Sequence, residues 1–571
     1  MPFFSIHPNR VRPGNAAISV PIRCLVRLSL SILLWTSLFC PGAQARAAEY
    51  QWSVSVGSVT SEETHASPRA FLWIPPKCDH VRAVVLGQHN MLEEGVLEHS
   101  AFRRALADLD FAEVWVTPLM GGQMKMDAED GAHFENMLRA LAAESGYSEI
   151  AQAPIVPIGH SAMAEFPYLF AAWKPGRTLA AISLKGSWPD AKKVPPTPWS
   201  GREVAGVPLL LVSGEYEWAE EREAKAMPFR REFPAVPFSM LADAGGGHFD
   251  SHDSLAVFLG NYLRSVARAR LPSGAGPLRD IDATREGWLI DRWRMNQPPR
   301  APAAPVGEYT GNVQDSYWCI DEEQARATER MQAAYMGRQP QLLGYLQNGN
   351  VVEQDPKTHQ QVTLKFIPDP AGDGLTFKLT GTFLESVPPG RPERWSARPA
   401  GSPIEHATEG GPITIRRICG PVEKLDDDTF AIRFDKVGFD NPLRGSQIWL
   451  LAEHPGDRRF KRAVQQALLG FPLRNTEGAS QQITFAPISD QQAGAPPVAL
   501  RADSDAGAKV RFYVREGPAE VDGDALRLTT IPPRAKFPVK VTVVAWQWGR
   551  SIEPKLKTAD PVTQTFSILA P

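Results

Sequence analysis

Cysteine is scarce: five residues in 571, at positions 24, 40, 78, 319 and 419. So wide a spacing excludes a disulfide-stapled scaffold, and the absence of paired cysteines excludes a structural zinc site. It leaves room for a single bridge, Cys319 to Cys419, in an oxidising compartment. Charge of one sign is equally scarce. With 61 Lys and Arg against 64 Asp and Glu, the formal net charge is −3, which provides no electrostatic footprint for nucleic acid. Long apolar runs are missing too. The run LSLSILLWTSLF is 12 residues long, well short of the roughly 20 that cross a bilayer, so no membrane span is expected. There is neither an internal repeat nor a long low-complexity tract.

That apolar run has a context of its own. Arg10, Arg12, Arg23 and Arg27 precede it, Pro41 and Gly42 end it, and AQARA then offers small residues where a signal peptidase cuts. Residues 1–47 therefore read as a secretory signal peptide, and the mature protein as exported, periplasmic or extracellular. Cys40 does not make a lipoprotein signal, because Phe39 before it is too large. Cleavage removes five arginines and no acid, taking the formal charge from −3 to −8, and leaves Cys78, Cys319 and Cys419.

The rest divides by pattern. Over 48–296, strand-like runs (RAFLWIPP, VRAVVLG, AEVWVTPL, PIVPIG, LAAISLKG, PLLLVSG) alternate with helix-like ones (HSAFRRALADL, GAHFENMLRALAAESG, AMAEFPYLFAAW, SLAVFLGNYLRSVARARL), the order of an α/β domain with a mostly parallel sheet. The Pro-rich QPPRAPAAPVG, 297–307, is a boundary or connector. Residues 308–481 are mixed and β-rich, with helices expected at DEEQARATERMQAAYMG and DRRFKRAVQQALLG. Residues 482–571 carry only short alternating strands, as in a small β-sandwich.

Chemistry concentrates in the first part. A serine hydroxyl becomes a nucleophile only with a base in reach, an acid to orient that base and donors for the oxyanion. Ser161 stands in PIVPIGHSAMAEF, between an apolar strand and a helical pattern whose first amides favour negative charge. His248 follows three glycines and precedes a closing helix, with His252 as competitor. HFDSHD also offers metal-ligand types, but at no zinc-hydrolase spacing, so neither metal nor cofactor is expected. PLLLVSGEYEWAEE presents Glu215 and Glu217 as acids, with Asp190 in reserve. The loop after VRAVVLG brings amides near Asn90 and Met91 that could join Ala162 in an oxyanion hole, while His89 there fits a structural hydrogen bond as well as a substrate contact.

GHSAMAEF, SGEYE and GGGHFDSH, in that order, resemble the α/β-hydrolase superfamily over about residues 50–293. The resemblance implies a central sheet flanked by helices and a serine acyl-hydrolase mechanism with partners in the order Ser, acid, His. It also favours Glu217 over Glu215. Met163, where the elbow motif has glycine, departs from the pattern, as does Glu in place of the commoner Asp. The C-terminal part is similar to bacterial immunoglobulin-like modules. Its Trp546 and Trp548 share one strand face, suited to core packing or to stacking on sugars. The expectation is an exported serine esterase with a Ser161–His248–Glu217 triad, acting on acyl esters of polysaccharides such as acetyl or feruloyl groups. A lipid or small-molecule esterase, a peptidase or an acyltransferase would use the same triad. The rival from another class is a non-catalytic binding or cell-surface protein with a degenerate hydrolase domain.

Overall fold

Strands in the first half are short apolar runs buried on both faces, and alternate residues enter different cores. In β3 (Ala83–Gln88), Ala83 and Val85 join one cluster, Val84 and Leu86 the other. This is how a parallel strand covered by helices on both sides must behave. The computed structural model describes residues 49–571 apart from 58, 62–63, 121–127, 190–202, 218 and 275; the signal-peptide reading and Asp190 lie outside the described residues.

Around β3 lie β1 (Trp52–Ser55), β2 (Arg69–Trp73), β4 (Phe111–Thr117), β5 (Ile155–His160), β6 (Ala181–Leu184), β7 (Leu209–Gly214) and β8 (Phe238–Asp243). They form an eight-stranded sheet in the order β1-β2-β4-β3-β5-β6-β7-β8. The β1–β2 and β2–β4 pairs are antiparallel, and every pair from β4–β3 onward is parallel. Helices α1 (Leu92–Leu97), α2 (Ser100–Leu109) and α6 (Asp253–Arg270) cover one face, while α3 (Ala128–Ser145), α4 (Phe166–Trp173) and α5 (Ala219–Glu232) cover the other. The expected α/β architecture is present, and the loops leaving the carboxyl ends of its parallel strands converge where such sheets bind ligands.

The Pro-rich stretch is ordered: Ala304–Pro305 within it pairs with Trp288–Asp291, which also pairs with Ser316–Cys319. Further along, a five-stranded sheet runs in the order Gln354–Asp355, Gln361–Lys365, Ala463–Gly470, Gln447–His454, Thr414–Cys419. Its central strand corrects the helix expected from DRRFKRAVQQALLG. Ala463–Gly470 is paired on both sides, and the ladders override the helical leaning of its Ala, Gln and Leu. The last part is all β, with a four-stranded and a three-stranded sheet sharing a core through Val541, Val543 and Phe566 of one and Val521 and Leu526 of the other. That core is continuous with the α3 side of the first sheet. Trp546 and Trp548 are buried among Phe366, Phe434 and Phe471, so they pack a core and present no face to sugar rings. Cys78, Cys319 and Cys419 are all buried free thiols; the Cys319–Cys419 bridge is not formed. No helix among the described residues is long and apolar enough to cross a membrane.

Candidate active site

At the end of β5 the chain turns sharply. Ser161 adopts φ +52°, a left-handed conformation that costs a non-glycine residue about 1–2 kcal/mol, and opens a single 3₁₀ turn, Ser161–Met163, ahead of α4. Gly159 makes the turn possible, because a Cβ there would sit 2.0 Å from the Met163 carbonyl oxygen. Met163 itself is buried with Phe166 and Phe170. The motif's second glycine is therefore replaced by a side chain that leaves the turn for the core, while its backbone still closes against Gly159. Pro167 stands in the first turn of α4, where its missing N–H costs nothing.

The loop after β3 and the first turn of α1 brace this elbow. Asn90 Nδ2 donates to the His160 carbonyl at 2.8 Å, and Glu93 Oε1 accepts from the His160 amide at 2.5 Å. The other Glu93 oxygen accepts from the Met91 amide at 3.1 Å. Burial, only partly offset by these amide bonds, pushes the Glu93 carboxyl up to about 7. Met91 is thus already satisfied, and Asn90 acts here through its side chain. Ala162, the other expected oxyanion donor, is exposed in the turn's first residues. His89 is buried against Thr117 and Glu94, at 2.9 and 3.2 Å, the structural alternative for that residue.

His248 Nε2 lies 2.8 Å from Ser161 Oγ, and its Nδ1 is in close contact with Glu217 Oε1. Both side chains are almost wholly buried, at 3% and 2% exposure. Burial depresses the His248 imidazole below its usual value, against the pull of Glu217. Burial alone would raise Glu217, but His248 and Arg222 hold it well below the carboxylate range. A neutral base beside an ionised acid is the state in which Nε2 can take a proton from Ser161.

The competing residues point elsewhere. Glu215 bonds Lys461 Nζ at 2.6 Å and the Gly245 amide at 2.8 Å. His252 caps α6 through Nδ1, accepting from Leu255 at 3.3 Å, and its Nε2 meets Asp243 at 2.9 Å. Asp243, Asp250 and His252 are near enough to share an ion, yet the carboxylates are matched by Lys185 on Asp243 and by Arg416 and Arg462 on Asp250. That donor set is spent on cations of the chain itself.

Two features were invisible to pattern reading. Lys185 is fully buried at the end of β6 and lines the cleft over Ser161. His359, from the second half, stacks on His248 with ring centroids 4.1 Å apart and planes 8° from parallel. The cleft has a volume of about 420 Å³ and is also bordered by Ser187, Trp188, Arg222 and Lys225. No single-chain pattern joins position 359 to position 248; only the fold does.

No protein-family model and no curated protein matches the sequence. Among solved structures the chain is similar to poly(aspartic acid) hydrolase-1 from Sphingomonas sp. KT-1, at 12% identity over 38% of this chain and 100% of that one, with a TM-score of 0.30. It is similar to a dienelactone hydrolase from Anabaena variabilis ATCC 29413, at 15% identity over 39% and 99%, with a TM-score of 0.28. It is also similar to an S-formylglutathione hydrolase from Agrobacterium tumefaciens, at 14% identity over 38% and 95%, with a TM-score of 0.29.

Proposed function

We propose that the protein is an exported serine esterase of the α/β-hydrolase type, and that Ser161, His248 and Glu217 are its catalytic residues. The observation that carries this reading is the unbroken chain of contacts from Ser161 Oγ to His248 to Glu217, with the serine on a left-handed elbow. In the first step Ser161 Oγ bonds to the ester carbonyl carbon as His248 Nε2 takes the hydroxyl proton. The carbonyl electrons move to an oxyanion that the Ala162 amide stabilises. The tetrahedral species then expels the alcohol, protonated by His248, and leaves an acyl-serine. Water, deprotonated by the same imidazole, attacks that ester and regenerates Ser161. Glu217 stays ionised throughout and stabilises the transient imidazolium.

Lys185, Ser187 and Arg222 on the cleft walls offer hydrogen-bond donors to a hydroxyl-rich substrate beside Ser161, and acetyl esters on polysaccharides are the substrate class we propose. The C-terminal sheets are proposed as an immunoglobulin-like module that braces the catalytic part.

A fluorophosphonate probe tests the chemistry. The folded protein should become labelled and Ser161→Ala should not; absent or equal labelling would instead favour the degenerate, non-catalytic protein. Acetate release from acetylated xylan tests the substrate, and activity confined to lipid esters would overturn that part.

A further inference from the structure

His359 sits on a hairpin between the paired strands Gln354–Asp355 and Gln361–Lys365. His359 and Gln360 are both left-handed, at φ +55° and +60°. Two adjacent non-glycine residues in that region cost of order 1–3 kcal/mol each and persist only where the surroundings over-determine them. Here they do. Gln466 Nε2 donates to the His359 carbonyl, Gln465 Nε2 to the Gln360 carbonyl at 2.7 Å, and Gln360 Nε2 to the Pro389 carbonyl at 2.9 Å. Arg391 Nη1 lies 2.9 Å from His359 Nδ1. A guanidinium has no acceptor, so Nδ1 is the acceptor at that contact and the ring proton sits on Nε2.

The strained turn thus delivers a neutral imidazole, face on, to the outer side of His248, with its Nδ1 also 3.6 Å from Glu217. His359 is 39% exposed where His248 is 3% exposed, so His359 takes the solvent contact that the base would otherwise have. Resting on the triad proposed above, we infer that His359 is a positioning residue. Carried by the second half of the chain, it holds the His248 ring against Glu217 and keeps water off the pair, so the region after residue 307 is part of the catalytic unit.

The groups facing His248 are Glu217, Arg222, His359, Ser161 and the rings of His160 and Phe249. Burial depresses the His248 imidazole, and the stacked His359 ring is part of that burial, so removing the cover raises it.

The test uses full-length protein with p-nitrophenyl acetate and with fluorophosphonate labelling, across pH. For His359→Ala we expect kcat to fall about 10- to 100-fold, the cost of a misplaced catalytic group, with KM little changed and the acidic limb of the kcat profile moved to higher pH. His359→Phe keeps a stacking ring and should restore kcat to within a few-fold and return the limb toward wild type. A folded His359→Ala with wild-type kcat and limb would overturn the proposal, as would a folded His359→Phe as impaired as His359→Ala. If neither variant folds, the hairpin is architectural and the proposal fails. Wild-type protein that does not label at all refutes the esterase reading itself, whereas labelling with an unchanged pH profile in His359→Ala refutes only this inference.

Discussion

At the scale of single residues, the choice between two carboxylates two positions apart is made by what each one touches. Glu217 meets His248, whereas Glu215 is tied to Lys461 and the Gly245 amide. With the proposed triad, Glu217→Gln keeps the shape but loses the charge that would orient and stabilise the imidazolium, so kcat should drop by about 10⁴-fold with melting temperature nearly unchanged. Glu215→Gln should do the reverse. It strands the buried Lys461 ammonium, at a cost of about 3–5 kcal/mol in stability, and leaves kcat near wild type. Steady-state kinetics beside thermal unfolding separate the two, and equal kinetic losses would show that both acids serve the base.

At the scale of elements, the elbow is held from the first turn of α1 and the loop that leads into it from β3. Glu93 binds the amides of His160 and Met91, with a carboxyl raised to about 7 from an ordinary 4.5. A raised carboxyl binds its proton more tightly in the folded state, so its ionisation costs stability. That cost, about 3 kcal/mol, should accumulate as pH rises from about 4.5 to about 7 and stay level above. Glu93→Gln has no such proton to lose. Chemical denaturation at pH 5 and pH 8 should therefore show the variant losing less stability than wild type over that interval; parallel losses would refute the assignment. The strand, turn and helix around Ser161 were legible because an apolar run, a small-residue turn and a helical pattern each have a local cause. The brace was not, because nothing near GHSAM indicates that a glutamate 67 residues earlier holds its backbone. The expected helix at 457–470 failed for the same reason: two neighbouring strands, distant in sequence, decide that Ala463–Gly470 is extended.

At the scale of the whole molecule, the described residues from 49 onward belong to one compact unit, and the histidine loop is clamped between its halves. Asp250, two residues past His248, binds Arg416 at 2.6 Å and Arg462 at 2.5 Å. Tyr216 bonds the Arg462 carbonyl at 2.7 Å. A Cβ on Gly247 would come within 2.9 Å of Val464, so the glycine run serves close packing across this seam. Burial would raise Asp250, but Arg462, His252 and Arg416 outweigh it and hold the carboxyl well below an ordinary aspartate. A depressed carboxyl contributes stability that is present above its unfolded value, near 3.8, and lost as pH falls toward the folded one. Asp250→Asn leaves Glu453 as the remaining carboxylate for Arg416 and Arg462 and should cost about 1–3 kcal/mol at neutral pH, and the gap from wild type should narrow between pH 5 and pH 2. Calorimetry over that range checks it, and a constant gap would place the acid sensitivity elsewhere.

The sequence by itself determined the alternation of strand and helix in the first half and the all-β ending, and it singled out Ser161, His248 and the Glu215–Glu217 pair as candidates for acyl chemistry. Those readings depend on local periodicity, turn chemistry and residue type, which are written along the chain. Tertiary structure alone decided which glutamate faces the histidine, that Met163 turns into the core, that the cysteines and late tryptophans are interior, and that His359 covers His248. Each of these depends on which distant surfaces meet, and that is set by burial and pairing over the whole fold.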